Sequence, residues 1–142
     1  MIERDEIEKI IPHRAPFLWI DRVEELEPGI HCVAWLRVDG GNPVFAGHFP
    51  SRPILPGVLL IEAVAQTAAV MMGAATRDAV MKSALLAAVN RFKFHKPVSP
   101  GTVLRIETTK LTEAGSMACI EGTVSAAGEK VASGELLVVS GR

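Results

Sequence analysis

A histidine and a carboxyl group lie on either side of the glycine that begins a long apolar run of the sequence. His48 lies in a segment that contains Pro50, Pro53 and Pro56, and proline restricts the backbone, so we expect a well-defined position for the imidazole. Imidazole takes up and releases protons near neutral pH. His48 is therefore a candidate general base, and the alternative is a structural or merely exposed loop histidine.

Glu62 lies about a turn and a half into the apolar run, counted from Gly57. Burying a lone carboxyl group costs several kcal/mol unless it is paired or keeps its proton. Glu62 is therefore either functional or a buried carboxyl bonded to backbone or to a partner chain. Gln66 follows four residues later on the same helical face, where its amide can orient Glu62 by a hydrogen bond.

The residues Pro56-Gly57 mark the start of the apolar helix, where the first backbone N–H groups have no partner inside the helix. Gly57 has no side chain, so a substrate oxygen could approach the N–H groups of Gly57 and Val58. These parts suit elimination of water beside a thioester carbonyl. A base would remove the α-proton, the N–H groups would stabilise the charge on the thioester oxygen, and a protonated carboxyl would release the hydroxyl group.

The surrounding pattern predicts the elements that must position these groups. A short helix is predicted over residues 3–10, a long loop over Asp39 to Pro56, and then the long apolar helix. Strands are predicted over residues 17–25, 31–38, 83–95, 102–112, 116–126 and 130–140. A sheet with one apolar face can bury such a helix by wrapping around it, which is an α+β arrangement. Its open edge would invite pairing between chains, so we expect a dimer or a higher oligomer.

Length, charge and composition limit the classes of function. The 142 residues suit a single domain over 1–142, and the net charge of -1 gives no general basic field for nucleic acid or a membrane surface. The apolar run from Gly57 to Ala75 could nearly span a bilayer, but it contains two polar residues and no second such run exists, which favours burial in protein. A charged N-terminus without a secretory signal, and two cysteines without metal or redox spacing, predict a cytoplasmic protein.

Four stretches of the sequence resemble those of a known family. They are Ile10-Ile11-Pro12-His13-Arg14-Ala15-Pro16-Phe17-Leu18 with Asp21-Arg22-Val23; Gly47-His48-Phe49-Pro50 with Arg52-Pro53-Ile54-Leu55-Pro56-Gly57-Val58; Glu62-Ala63-Val64-Ala65-Gln66; and Phe94-His95-Lys96-Pro97-Val98-Ser99-Pro100-Gly101. Through them, nearly the whole chain resembles the β-hydroxyacyl-(acyl carrier protein) dehydratases of type II fatty acid synthesis, the FabZ type.

The resemblance implies a hot-dog fold and the conversion of a (3R)-3-hydroxyacyl chain, carried by acyl carrier protein, to a trans-2-enoyl chain. It implies His48 and Glu62 as the catalytic pair, facing each other across a homodimer, with dimers often assembled in threes. It also implies an acyl tunnel at the dimer interface, no cofactor or metal, and a backbone N–H of Gly57 that binds the thioester carbonyl. The chain departs from the usual family pattern at Gly41-Asn42-Pro43 and Thr102 and has no tyrosine, which bears on chain-length preference and on the acyl or polyene pathway served.

Two other functions stay open on the sequence alone. A thioesterase on the same fold would activate water instead of removing an α-proton, and a non-catalytic acyl-binding subunit would need no acid–base pair. Among the remaining residues, His13 is predicted to hold its proline-bounded turn by hydrogen bonds, and His31 and His95 to be surface or strand residues. Arg91, Lys93 and Lys96 are predicted to form a solvated strand face, with a contact to an acidic carrier protein as the functional alternative.

Overall fold

A computed structural model describes residues 1–76 and 85–139 of the chain. The helices are α1 (Arg4–Ile10), α2 (Val44–Gly47) and α3 (Gly57–Gly73), and the strands are β1 (Arg22–Glu27), β2 (His31–Arg37), β3 (Leu85–Phe94), β4 (Val103–Ala114), β5 (Met117–Ala126) and β6 (Glu129–Val139). The strands form one antiparallel sheet in the order β1-β2-β4-β5-β6-β3. The predicted α+β class is therefore confirmed, while predicted strand positions 83, 84 and 140 lie outside the described residues.

The long helix α3 lies against the apolar face of β2, β4 and β5, and its inward side chains form the core with theirs. Val64 and Ala68 of α3 are fully buried, as are Ile106 and Ile120 of the sheet. Gly122 allows the close approach, because a Cβ atom there would lie 2.3 Å from Val64 Cγ1. In the described ranges, 1–76 and 85–139, no helix is long and apolar enough to cross a membrane.

The turns between strands follow from residues that accept a positive φ. Pro28 and Gly29 connect β1 to β2, with Gly29 at φ +75° and a hydrogen bond from the Ile30 N–H to the Glu27 carbonyl (2.9 Å). Ala127 and Gly128 connect β5 to β6 with φ values of 50° and 81°, as a two-residue turn between antiparallel strands requires. Both turns were predicted from their glycines.

The first predicted strand, residues 17–25, is wrong over its first half, because β1 begins only at Arg22. Asp21 still donates its N–H to the Trp35 carbonyl of β2 (2.7 Å), but at Phe17 and Trp19 the backbone is bonded to a helix side chain. Gln66 Oε1 accepts the Trp19 N–H (2.7 Å), and Gln66 Nε2 donates to the Phe17 carbonyl (2.8 Å). These bonds satisfy the polar backbone groups that a sheet would otherwise have to pair.

The predicted loop from Asp39 to Pro56 also needs a correction, since it contains the short helix α2. Asn42 Oδ1 accepts the Val44 N–H (2.9 Å), and Pro43 supplies the fixed φ that suits the first position of a helix. Phe45 is the buried residue of this turn and packs into the core. The Asn-Pro pair therefore precedes a short helix at a place where the sequence pattern predicts only a loop.

Strand β3 forms one edge of the sheet and is unusually apolar for an exposed strand. Among the described residues it pairs only with β6, so its other side is open. Leu85, Leu86, Val89 and Phe94 are each at least 40% exposed. Soluble proteins protect such edges because the free backbone groups pair readily with another chain.

Candidate active site

The loop before α3 holds His48 by its own backbone. His48 Nδ1 lies 2.8 Å from the Ile54 carbonyl oxygen, and the Ile54 N–H donates back to the His48 carbonyl (3.0 Å). Because a carbonyl only accepts, Nδ1 must carry the proton, and Nε2 of the neutral ring keeps its lone pair. The Phe49 ring stacks on the imidazole, with ring centroids 4.1 Å apart. A histidine fixed in this tautomer presents a base at Nε2.

A cavity beside His48 includes the start of α3. Its walls are contributed by the His48 loop, the first turn of α3, Phe94 at the end of β3, and His95 and Lys96 after it. Gly57 also lines it, and a Cβ atom at position 57 would lie 3.0 Å from Phe94 Cε1. Glycine at this position therefore leaves room for the Phe94 ring and for a ligand.

The first two N–H groups of α3 are available to a ligand. Within the described part of the chain, the N–H groups of Gly57 and Val58 have no acceptor, whereas Leu59 already donates to the Pro56 carbonyl (2.9 Å). The Val58 side chain is 70% exposed, so this residue could contribute to a site only through its backbone. Both residues thus lie where the sequence predicted, and their role as oxygen-binding donors stays a prediction.

Glu62 lies one and a half turns into α3, about 7.5 Å along the axis from Gly57. Its side chain is 24% exposed, and Gln66 Nε2 donates to its Oε2 atom (3.0 Å). Gln66 itself is fully buried and makes the two bonds to the segment before β1 described above. One amide therefore connects the carboxyl group, the helix and a segment nearly fifty residues away in sequence.

An apolar cavity runs from Glu62 along one face of α3. The helix residues that line it are Ala65, Ala68, Ala69 and Met72, and its other walls come from Leu85, Leu86, Ala118 and Val138. Glu62 and Met72 are ten residues apart, or about 15 Å along the helix. Three alanines, where larger side chains would fill the space, leave a mostly apolar groove along the helix.

His48 and Glu62 line two different cavities in one chain, and these cavities share no lining residue. His48, Gly57 and Phe94 line the first, whereas Glu62 lies in the second with the alanine face of α3. The structure brings Gln66 to Glu62 and brings His48 to the start of α3. It does not join the two half-sites within one protomer.

His13 lies at the candidate site, although the sequence predicts only a structural role for it in its proline-bounded turn. It lines the Glu62 cavity, and its Nε2 atom lies 3.6 Å from Glu62 Oε2. The expectation that its ring holds the turn is wrong, since Nδ1 is buried without a hydrogen-bond partner in the described part of the chain. Arg14 holds the turn instead, donating to the carbonyls of Ile11 (3.0 Å) and Glu8 (2.9 Å). The proline-bounded spacing gave no indication of which side chain would turn towards the helix.

The remaining titratable groups lie away from these cavities or on their rims. His31 begins β2 and donates to Glu107 Oε2 (2.6 Å), which lowers the pKa of Glu107, and His95 is exposed after β3. Burial raises the pKa of the Cys32 thiol to about 12. No group of three or more metal-binding side chains occurs in residues 1–76 and 85–139.

The predicted basic face contains paired and unpaired cations. Arg91 lies 3.7 Å from Glu135, and Lys96 is bonded to Glu129. Lys93 is exposed and has no ion pair among the described residues. The solvated strand face that the sequence predicted is therefore present, with charges largely balanced by the chain's own carboxylates.

Comparisons with known proteins agree on one family. The sequence model of the FabA-like domain matches residues 11–135. Proteins named 3-hydroxyacyl-(acyl-carrier-protein) dehydratase FabZ are similar over most of their length. That of Geotalea uraniireducens is 49% identical over 72% of each chain, and that of Roseiflexus sp. is 44% identical over 96% of this chain and 95% of its own. The protein of Clostridium botulinum is 43% identical over 99% and 97%.

Solved structures share the fold at lower identity. The dehydratase heterocomplex ApeI:P of Xenorhabdus doucetiae superposes with a TM-score of 0.81 at 21% identity, over 96% of this chain and 91% of that chain. Cj0977 of Campylobacter jejuni superposes with a TM-score of 0.70 at 12% identity, over 96% and 88%. The hot-dog fold is thereby confirmed. With the domain match and the identities above, it follows that this chain belongs to the FabA-like family, among the 3-hydroxyacyl-(acyl-carrier-protein) dehydratases of the FabZ type.

Proposed function

We propose that the protein removes water from (3R)-3-hydroxyacyl chains carried by acyl carrier protein and yields trans-2-enoyl chains, in fatty acid synthesis or a related acyl or polyene pathway. The observation that carries this proposal is the fixed His48 tautomer, with Nδ1 on the Ile54 carbonyl, in a cavity that is also lined by Gly57 at the start of α3. This arrangement supports a base and an oxyanion-stabilising helix start acting on one substrate.

In the proposed mechanism, His48 Nε2 takes the proton from the α-carbon. The N–H groups of Gly57 and Val58 stabilise the negative charge that moves onto the thioester oxygen, which is larger in the transition state than in the substrate. The C–O bond at the β-carbon then breaks, and Glu62 gives its proton to the departing hydroxyl group, which leaves as water. Return of the proton from His48 to Glu62 restores the starting state, so the reaction needs no cofactor.

We further propose that one active site takes His48 from one protomer and Glu62 from its partner. The open edge of β3 supports this, because antiparallel pairing with a second copy would cover Leu85, Leu86 and Val89. Phe94, at the carboxyl end of β3, lines the His48 cavity, and Leu85, at its amino end, lines the Glu62 cavity. Antiparallel pairing places the carboxyl end of one copy towards the amino end of the other, which brings unlike half-sites together. A trimer of such dimers is the larger assembly we infer.

The thioester end of the substrate would enter beside His48, where Lys96, paired with Glu129, lines the cavity and Arg52 lies exposed on the His48 loop. The segments 40–61 and 87–106 contain no acidic residue, although the whole chain has a net charge of -1. An acidic carrier protein would be attracted to this region, with a dependence on salt. We propose a cytoplasmic location, with which the two free thiols agree. We also propose that residues 1–142 form a single domain.

The test measures the loss of water from carrier-bound 3-hydroxyacyl chains and the addition of water to carrier-bound enoyl chains, both by mass spectrometry. His48→Ala and Glu62→Gln should each lower the rate about 10³-fold while light scattering shows an unchanged assembly. Normal turnover by either variant would refute the assignment of that residue. Wild-type protein that releases free thiol from acyl thioesters without adding water to enoyl thioesters would show a thioesterase instead. Wild-type protein inert to both would be an acyl-binding subunit.

A further inference from the structure

The contacts of the Glu62 carboxyl group all fall on one of its two oxygens. Gln66 Nε2 donates to Oε2 (3.0 Å), and His13 Nε2 approaches the same atom at 3.6 Å. Among the described residues, Oε1 makes no hydrogen bond or ion pair. The carboxyl group is therefore held from one side, and its other oxygen is left for the cavity.

The His13 ring has no other structural task that the contacts reveal. Arg14 bonds the turn to the end of α1, so the turn does not depend on the imidazole. Nδ1 of His13 is buried and has no partner among the described residues. A buried N–H group without an acceptor is rarer in proteins than an unpaired acceptor, which favours the tautomer with its proton on Nε2. In that tautomer the protonated Nε2 atom lies 3.6 Å from Glu62 Oε2, close enough for electrostatic attraction but longer than a formed hydrogen bond.

We propose that His13 is a positioning residue for the dehydration: its Nε2–H, with the Gln66 amide, holds Glu62 Oε2 so that Oε1 carries the catalytic proton towards the substrate. The Gln66 amide donates to Oε2 (3.0 Å) and the His13 Nε2 atom lies 3.6 Å from it, so a proton on Oε2 is disfavoured, since the amide N–H and a carboxylic O–H would then point at each other. The proton is thereby confined to the oxygen that faces the cavity. The inference rests on the proposed function and adds a residue to its acid half.

The charged groups around His13 are few. Glu62 faces it from α3, and Glu113 of β4 lines the same cavity, where it is also paired with Lys110 (2.8 Å). Arg14 and Glu8, on its own side, are engaged with each other (3.4 Å). A neutral donor beside Glu62 therefore acts mainly on that one carboxyl group.

The experiment compares His13→Leu, which removes the donor at similar volume, with His13→Gln, which keeps an N–H donor. His31→Leu is the matched control, since His31 lies on β2 and its partner is Glu107. We expect His13→Leu to lower kcat roughly tenfold to a hundredfold with KM within twofold, because misplacement by about 1 Å has effects of that size. His13→Gln should regain most of kcat, and His31→Leu should match wild type.

The pH profile separates positioning from a purely structural role. Removing a donor from a carboxylate disfavours its ionised form, so the alkaline limb of kcat should move to higher pH in His13→Leu and stay in place in His13→Gln. His13→Ala replaces His13→Leu if the latter does not fold. A folded, donor-free variant with wild-type kcat and an unmoved profile would overturn the inference, and so would failure of His13→Gln to recover activity. If the proposed function itself fails, wild-type protein eliminates no water, which is a different result.

Discussion

The two half-sites are built in different ways. His48 is fixed within its own loop, by a backbone carbonyl six residues away. Glu62 is fixed by Gln66, which is in turn bonded to a segment 47 to 49 residues earlier in the chain. The proposed base therefore depends on local chain geometry, whereas the proposed acid depends on packing between α3 and the segment before β1.

This difference separates the tasks of the two cavities. The His48 cavity contains the polar start of α3 and suits the thioester, where charge develops. The Glu62 cavity is mostly apolar along α3 and suits the alkyl chain, with the acid at its inner edge. A locally fixed base should tolerate distant changes, and the acid half should be sensitive to them.

Outside the proposed catalytic pair, the largest effect should come from filling the alkyl cavity. Ala69→Phe places a ring in the groove beside Glu62, so turnover of long acyl chains should fall at least about 100-fold, while four-carbon substrates stay within a few fold. The measurement is kcat/KM over a chain-length series, with Ala69→Ser as the control of similar volume. Equal losses at all lengths would contradict the division of tasks.

Gln66→Leu tests the long-range support of the acid. The substitution removes three hydrogen bonds, to Trp19, Phe17 and Glu62, and leaves a buried N–H and carbonyl unpaired. We expect a loss of about 2–4 kcal/mol in the free energy of unfolding and a fall in kcat of roughly tenfold or more. Urea unfolding and steady-state kinetics would measure the two effects. An unchanged kcat in a folded variant would mean that Glu62 needs no such support.

Lys93→Glu tests the predicted basic face of β3 as a contact for an acidic carrier protein. Lys93 has no ion pair among the described residues, so its reversal should weaken attraction to an acidic carrier without disturbing the fold. KM for carrier-bound substrate should rise a few fold at low salt, and the difference should shrink as salt is added. KM for a short pantetheine thioester serves as the control and should not change. An equal rise in KM for both substrates would show that Lys93 does not contribute to binding of the carrier protein.

The smallest effect concerns neither half-site. The His31 hydrogen bond lowers the pKa of Glu107 below its ordinary value. The stability it contributes is present at neutral pH and is lost as the pH falls through the lowered pKa. Because the carboxyl is 37% exposed, the contribution should stay below about 1 kcal/mol. Glu107→Gln should therefore lower the stability slightly at pH 7, and the stabilities of the variant and the wild type should become equal in acid. Thermal unfolding over a pH series measures this difference, and kcat should not change.

The contrast between the half-sites also explains what the sequence could predict. Alternation and glycine turns located the strands, and an apolar run located α3, because these patterns are local. The segment at Phe17 looked like a strand because its apolar residues gave no sign that Gln66 would take its backbone bonds. His13 was assigned to its turn for the same reason, since only packing brings it to Glu62. Non-local side-chain contacts were the part that the sequence alone did not reveal.

The central claim, that one site takes its base and its acid from different protomers, is tested most directly by mixing His48→Ala with Glu62→Gln. Each variant alone should be inactive. After co-refolding, about half of the dimers are mixed, and each mixed dimer holds one intact site, so activity should return to about a quarter of the wild-type value. If the mixture stays as inactive as its components while mass spectrometry shows mixed dimers, both groups act within one chain and the account is wrong.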